Sequence, residues 1–149
     1  MHSFNNDKKE ISFDKYNTPT PWMNYLSNGT FHVMMSQAGG GVAFYKSPQI
    51  WRINHYRFFH LPTDRSGFYT YIKDGDVFWC PTSEPCKDKP EQWSSSHGMG
   101  YTCFNAKRNG VSADVKYFVG EYENCLIWNL KIKSDTDKKS SCSRLLSWV

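Results

Sequence analysis

The stretch from Tyr101 to Ile132 allows fewer folds than any other part of this chain. Val111, Ala113, Val115, Tyr117 and Val119 alternate with Ser112, Asp114 and Lys116, and Leu126, Trp128, Leu130 and Ile132 repeat the pattern. A period of two lays one apolar face on a core and leaves the other polar, which describes a half-buried antiparallel strand and excludes an amphipathic helix. Asn109-Gly110 is the turn dipeptide that folds the first run back on a strand beginning Tyr101-Thr102-Cys103-Phe104. A second hairpin is expected where Phe68, Thr70 and Ile72 alternate with Tyr69, Tyr71 and Lys73, with Asp74-Gly75 turning the chain into Val77-Phe78-Trp79. No segment sustains a 3.6-residue apolar period, so few helices are expected.

Composition agrees. Aromatic residues make up 17% of the chain while the mean hydropathy is -0.66, so its apolar surface is concentrated in a few large rings, as in sheet proteins and sugar binders. At 149 residues the chain fits one domain, or a piece of one. In order, residues 1–13 carry Phe4 and Phe13 among charges and read as a short edge strand. Thr18-Pro19-Thr20-Pro21 imposes an extended path because each proline restricts itself and its predecessor. Trp22 to Leu26, Phe31 to Ser36 and Val42 to Tyr45 read as short strands, the first two joined at Asn28-Gly29. Ile50 to Phe59 is a basic, aromatic segment. Cys80 to Gln92 holds three prolines and no apolar period, and reads as a loop. Residues 142–149 begin another strand. An apolar strand at a chain end needs neighbours to cover it, so we read the chain as an N-terminal fragment.

The charge pattern narrows the partners. A net charge of +4 with scattered lysines and arginines lacks the basic footprint of a nucleic-acid binder. Met1 to Glu10 has no apolar signal-type core and no run approaches a membrane span, so a soluble, cytoplasmic protein is expected, with no membrane partner. Five cysteines at irregular spacings match neither a complete disulfide framework nor a paired zinc motif, and most are expected to pack as small apolar groups. Asn28-Gly29-Thr30 matches a glycosylation sequon of the kind that arises by chance.

The densest chemistry lies between Ser36 and Trp79, where Gly39-Gly40-Gly41, Arg52, Arg57, Arg65 and many aromatic rings fall together. Rings stack on sugars and guanidinium groups grip hydroxyls or oxyanions, so a carbohydrate surface competes here with a strand-rich core bearing a basic edge. The glycine triplet has neither a GxGxxG pattern nor a following Lys-Ser/Thr, so it reads as a tight turn beside a site and not as a nucleotide loop. Asp74 and Asp76 have the spacing of a hairpin tip, Asp64-Arg65 that of a structural ion pair, and His97 precedes flexible backbone without a visible nucleophile or orienting carboxylate. His32, His55, His60 and His97 are too dispersed for a metal site, and no serine sits in a nucleophile elbow. On residues alone this is a sugar-binding-like β domain without catalytic machinery.

Pro21-Trp22-Met23-Asn24-Tyr25-Leu26-Ser27-Asn28-Gly29, Gly39-Gly40-Gly41-Val42-Ala43-Phe44-Tyr45 and Ile53-Asn54-His55-Tyr56-Arg57 together resemble the N-terminal region of glycoside hydrolase family 94, formerly glycosyltransferase family 36, the cellobiose, cellodextrin and diacetylchitobiose phosphorylases. The likeness continues through Asp64 to Ile72, His97 to Thr102 and Glu123 to Trp128, in the same order. It implies an antiparallel β-sandwich of the super-sandwich, galactose-mutarotase-like type, here incomplete. In the intact enzyme a linker and an (α/α)6 barrel, absent from residues 1–149, would follow. The resemblance implies no cofactor: inorganic phosphate is the co-substrate and nucleophile, a barrel aspartate is the general acid, and inversion releases an α-sugar 1-phosphate from a β-linked disaccharide, with cellobiose the first guess. It further implies a homodimer, and a fragment inactive by itself. Carried over residue by residue, Tyr45 and Arg52 become substrate-bordering positions. Val42, Ala43, Trp51 and Ser83 depart from the residues usual in the family's matching segments, which removes a hydroxyl donor at Ala43 and a stacking ring at Ser83. A freestanding carbohydrate-binding β domain and a part of a cyclic β-glucan synthase are the alternatives.

Overall fold

The computed structural model describes residues 2–54 and 66–135. Eleven antiparallel strands and no helix occur among them. Six strands form one sheet in the order β1 (His2–Asn5), β2 (Glu10–Phe13), β8 (Gln92–Gly98), β9 (Tyr101–Arg108), β10 (Val111–Val119) and β11 (Leu126–Ser134). A three-stranded sheet runs β3 (Met23–Ser27), β4 (Phe31–Ser36), β5 (Gly41–Tyr45), and β6 (Ile72–Asp74) pairs with β7 (Val77–Trp79). The alternation in β10 does what its period demands: Val111, Ala113, Val115 and Tyr117 are buried while Asp114 and Lys116 are exposed.

The core lies between the two larger sheets. Leu26, Phe31, Val33, Met35 and Ala43 from the three-stranded sheet meet Phe104, Val115 and Tyr117 from the six-stranded one, with Phe68 in the same cluster. A second cluster joins Ile72 and Trp79 to Ala106, Val111 and Ala113. This is the face-to-face packing of a β-sandwich, and the all-β expectation holds.

Several local expectations need correction. Residues 1–13 form a hairpin and not a single strand, with Phe4 opposite Ile11; Phe13 is buried but Phe4 is exposed. Phe68, Tyr69 and Thr70 are all buried, so the expected alternation is broken. This segment crosses between sheets, and a crossing chain is surrounded on all sides. At the β6–β7 tip Asp74 pairs with Val77, which moves the turn one residue on to Gly75-Asp76. β8 was missed altogether, because Trp93-Ser94-Ser95-Ser96 carries one apolar residue; as an inner strand between β2 and β9 it is recruited by backbone pairing. Among the cysteines Cys80 is buried, but Cys86 and Cys125 are exposed, so only part of the set packs as small apolar groups. Asn28 braces the β3–β4 turn: its side-chain oxygen accepts from Thr30 and Phe31 N–H, and its amide donates to the carbonyls of Gly120 and Glu123. The strand expected over 142–149, the Asp64-Arg65 pair, His55, His60 and Cys142 lie outside the described residues.

His97 ties the two larger sheets together. Its Nε2 is 3.0 Å from the Trp22 carbonyl and its Nδ1 3.1 Å from Thr102 Oγ1, while Asn24 Nδ2 donates to that hydroxyl and to the carbonyls of Gly98 and Tyr101. A neutral imidazole fits these bonds, with Nε2–H donating to Trp22 and with Thr102 donating to Nδ1 while accepting from Asn24, whose two amide hydrogens are shared among three acceptors. Burial favours the neutral ring and holds its pKa below the usual histidine value, with the bond to the Trp22 carbonyl opposing the shift. The unfolded chain takes up a proton that the fold refuses, so stability is full above the unfolded value and falls as the pH drops below it, levelling off only beneath the folded value. We expect the urea midpoint to drop between about pH 7.5 and about pH 5.5, and to drop less in His97→Gln. Parallel curves for the two proteins would remove His97 as the source.

Candidate functional site

A cleft of about 650 Å³ opens beside the glycine triplet, within the range of about 300–1,000 Å³ usual for small-molecule sites. Three segments meet there for separate reasons. The extended Tyr16–Pro21 run is pinned by Gln37, a polar residue only 3% exposed at the end of β4. Gln37 Nε2 donates to the Tyr16 carbonyl at 2.9 Å and to Thr18 Oγ1 at 2.7 Å, and its Oε1 accepts from Trp22 N–H at 2.8 Å. Every polar atom of that buried amide is thus used.

The second wall is the glycine turn. Ser36 N–H donates to the Gly40 carbonyl, Gly41 N–H to Ser66, and Phe68 N–H to Gly39, so the turn is laced to residues 66–68. Gly39 has a φ of 86°, and a Cβ on it would lie 2.8 Å from Thr82 Cβ. Close approach, and not flexibility, explains that glycine. Tyr69 adds a buried ring to this wall. The third wall is the loop after β7, which contributes Glu84 and Lys87. Ring faces, an amide-braced backbone, one carboxylate and one ammonium suit a neutral polyhydroxylated ligand better than a strongly charged one.

The two positions singled out from sequence lie beyond this cleft. Residues 51–54 fold back antiparallel to β5: Tyr45 N–H donates to the Trp51 carbonyl, Ile53 N–H to Ala43, and Asn54 joins Ala43 N–H to the Gly41 carbonyl. Tyr45 is half-buried against the core, edge-on to Trp51, with Lys46 Nζ 5.2 Å from its ring centroid. Arg52 is exposed and its Nε donates to the Pro48 carbonyl at 2.7 Å. The structure thus brings Tyr45 and Arg52 to one end of β5, while the cleft is at the Gly41 end, about 13 Å away along an extended strand of four further residues.

His97 has a structural role, as described, and His32 stacks on Phe44 while bonding Ser27. Among the described residues no three His, Cys, Asp or Glu side chains converge on a metal position. Sequence reasoning missed Gln37, Tyr69, Glu84 and Lys87. A polar residue ending an apolar strand just before three glycines was a usable signal for Gln37. Nothing local marks Glu84 or Lys87, which reach the cleft only because their loop packs across Gly39.

Comparison with known proteins follows the same lines. Residues 9–144 match the family described as glycosyl hydrolase 94, supersandwich domain. An N,N'-diacetylchitobiose phosphorylase of Vibrio proteolyticus is 32% identical over 94% of the chain, and one of Vibrio furnissii is 30% identical over 94%. A 3-O-beta-D-glucopyranosyl-beta-D-glucuronide phosphorylase of Paenibacillus borealis is 28% identical, also over 94%. The chain spans 18%, 18% and 17% of these relatives, roughly a fifth of their length.

Proposed function

The chain belongs to the glycosyl hydrolase 94 family through its supersandwich domain, and from that premise we propose that it is the N-terminal domain of an inverting disaccharide phosphorylase. The intact enzyme cleaves a β-linked disaccharide with inorganic phosphate and releases an α-sugar 1-phosphate. The general acid belongs to a helical barrel outside these residues, and the domain alone is inactive. The observation that carries this reading is the cleft beside Gly39, Gly40 and Gly41. Three of the segments that bear the family likeness, Pro21 to Gly29, Gly39 to Tyr45 and Asp64 to Ile72, contribute to its lining through Pro21, Met23, Gly40, Gly41, Ser66 and Tyr69. Relatives named for diacetylchitobiose support that sugar ahead of cellobiose as the first substrate to try. We further take the intact enzyme to be a cytoplasmic homodimer, which light scattering and cell fractionation check.

The test is phosphate-dependent formation of a sugar 1-phosphate from diacetylchitobiose, with cellobiose in parallel. Turnover indifferent to phosphate rejects the mechanism, and sugar binding without any phosphorolysis favours a freestanding binding domain. Tyr45 and Arg52 lie at the other end of β5, so the expectation carried by the family likeness, that Tyr45→Phe, Tyr45→Ala and Arg52→Ala impair turnover while the fold stays intact, tests a contact separate from the cleft; unchanged kinetics remove both residues from the site.

Gln37→Ala offers a sharper measurement on the cleft. It frees the Tyr16–Pro21 wall, so we expect the Michaelis constant for the disaccharide to rise about tenfold, equivalent to about 1.4 kcal/mol, with kcat changed less. Stability also drops by about 1 kcal/mol, because the part-buried Trp22 N–H and Tyr16 carbonyl lose their partner. A destabilised variant with an unaltered Michaelis constant would leave the cleft without a role in substrate binding.

A further inference from the structure

The loop that forms the third wall of the cleft carries two thiols in contact. Cys80, fully buried at the end of β7, and Cys86, exposed, place their sulfurs 3.2 Å apart. The backbone holds both ends of the loop. Ser83 N–H donates to the Cys80 carbonyl at 3.0 Å, Lys87 N–H to Ser83 at 2.7 Å, and Trp93 Nε1 to the Pro81 carbonyl at 2.9 Å. Asp88 accepts from Cys80 N–H and is itself fixed by Arg108 at 2.7 Å. A disulfide needs the sulfurs at about 2.05 Å, so closing the bond from here takes a shift of the side chains, with the braced backbone in place.

We propose that Cys80 and Cys86 are a reversible oxidation site whose disulfide ties the Pro81–Pro85 loop into a closed ring and so fixes one wall of the cleft. With a peroxide as oxidant, the accessible Cys86 thiol becomes a sulfenic acid and one water leaves. The Cys80 sulfur then displaces the hydroxyl as a second water. One peroxide thereby accepts the two electrons and two protons of the pair, and a thiol reductant reverses the step. Burial raises both thiols above the ordinary cysteine value, and at Cys86 the hydrogen bond with Cys80, followed by the Arg108 charge, opposes the shift. The pair is accordingly a slow closure device and not the primed dithiol of a redox enzyme. Glu84 and Lys87 stand on or directly beside the ring. The consequence for ligand entry rests on reading the cleft as the sugar site, whereas the modification itself does not.

The two cysteines share one tryptic peptide, Asp74 to Lys87, which makes the test direct. The intact protein is treated under native conditions with hydrogen peroxide, or with oxidised glutathione, then blocked with iodoacetamide, digested and weighed before and after reduction. The expected peptide is lighter by two hydrogens, carries no alkyl group, and accepts two after dithiothreitol. Backbone amides from Ser83 to Lys87 exchange more slowly in the oxidised protein, and this change is missing in Cys86→Ser. Two alkylated cysteines after oxidation, a sulfinic acid on Cys86 alone, or cross-linking of either to Cys103 or Cys125 would each overturn the proposal. A disulfide that forms as expected but leaves disaccharide affinity unaltered would instead count against the cleft as the sugar site.

Discussion

Replacing Tyr117 by alanine lowers the stability of the chain by about 3–5 kcal/mol, the range for removing a large ring from a core that cannot collapse around the hole. Tyr117 is fully buried near the C-terminal end of β10. Its ring meets Phe104 edge-on at 5.7 Å and Trp128 at 5.1 Å, and its hydroxyl donates to the Phe68 carbonyl at 2.9 Å. That bond reaches from the six-stranded sheet to the segment crossing between sheets. Tyr117→Phe keeps the ring and removes the hydroxyl that faces the Phe68 carbonyl and Thr70 Oγ1, so it is expected to cost about 1–2 kcal/mol. Urea denaturation followed by tryptophan fluorescence ranks the pair. Equal losses for the two variants would mean that the hydroxyl carries the site and the packing argument fails.

Gly41→Ala is the second large effect. A Cβ at Gly41 would fall on the Met34 carbonyl oxygen and within 3.1 Å of Met35 Cα. Both atoms belong to β4, the paired neighbour of β5, so the contact cannot be relieved by turning a side chain. The strands must part at the end that lines the cleft, at an expected cost of about 3 kcal/mol or more. Gly75→Ala is the control. Gly75 has a φ of 61° at a hairpin tip with no atom within 4 Å of an added Cβ, so only the left-handed backbone penalty of about 1–2 kcal/mol applies. If the two substitutions cost the same, steric closeness at Gly41 is not what requires glycine there.

These two residues mark how far the chain could be read in advance. Tyr117 was legible, because alternation over Val111 to Val119 assigns a face to every residue without any knowledge of what covers it. The hairpins around Asn28-Gly29 and Asn109-Gly110 were legible for the same local reason. β8 was not, since an inner strand of serines is specified by the neighbours that pair with it. Phe68 to Thr70 misled because a segment passing between sheets buries both of its faces.

The candidate site divides in the same manner. The glycine triplet was legible as a tight turn, and the family likeness in the segments around it is confirmed over residues 9–144. Tyr45 and Arg52 came from that likeness by position along the chain, and position along β5 puts them at the end of the strand away from the cleft. Gln37, Glu84 and Lys87 gather at the cleft from separate segments of the chain.

What the sequence by itself determined is the all-β class, the strands with alternating faces, the tight turns and the family, because each is carried by short-range periodicity or by an ordered set of local motifs. What only the tertiary structure decided is the set of long-range partners: how the six-stranded and three-stranded sheets lie against each other, why Gly39, against Thr82, has no room for a side chain, and how Gln37, Glu84 and Lys87 reach one cleft. Contacts of that kind depend on segments distant in the chain meeting in space, and no local pattern encodes the meeting.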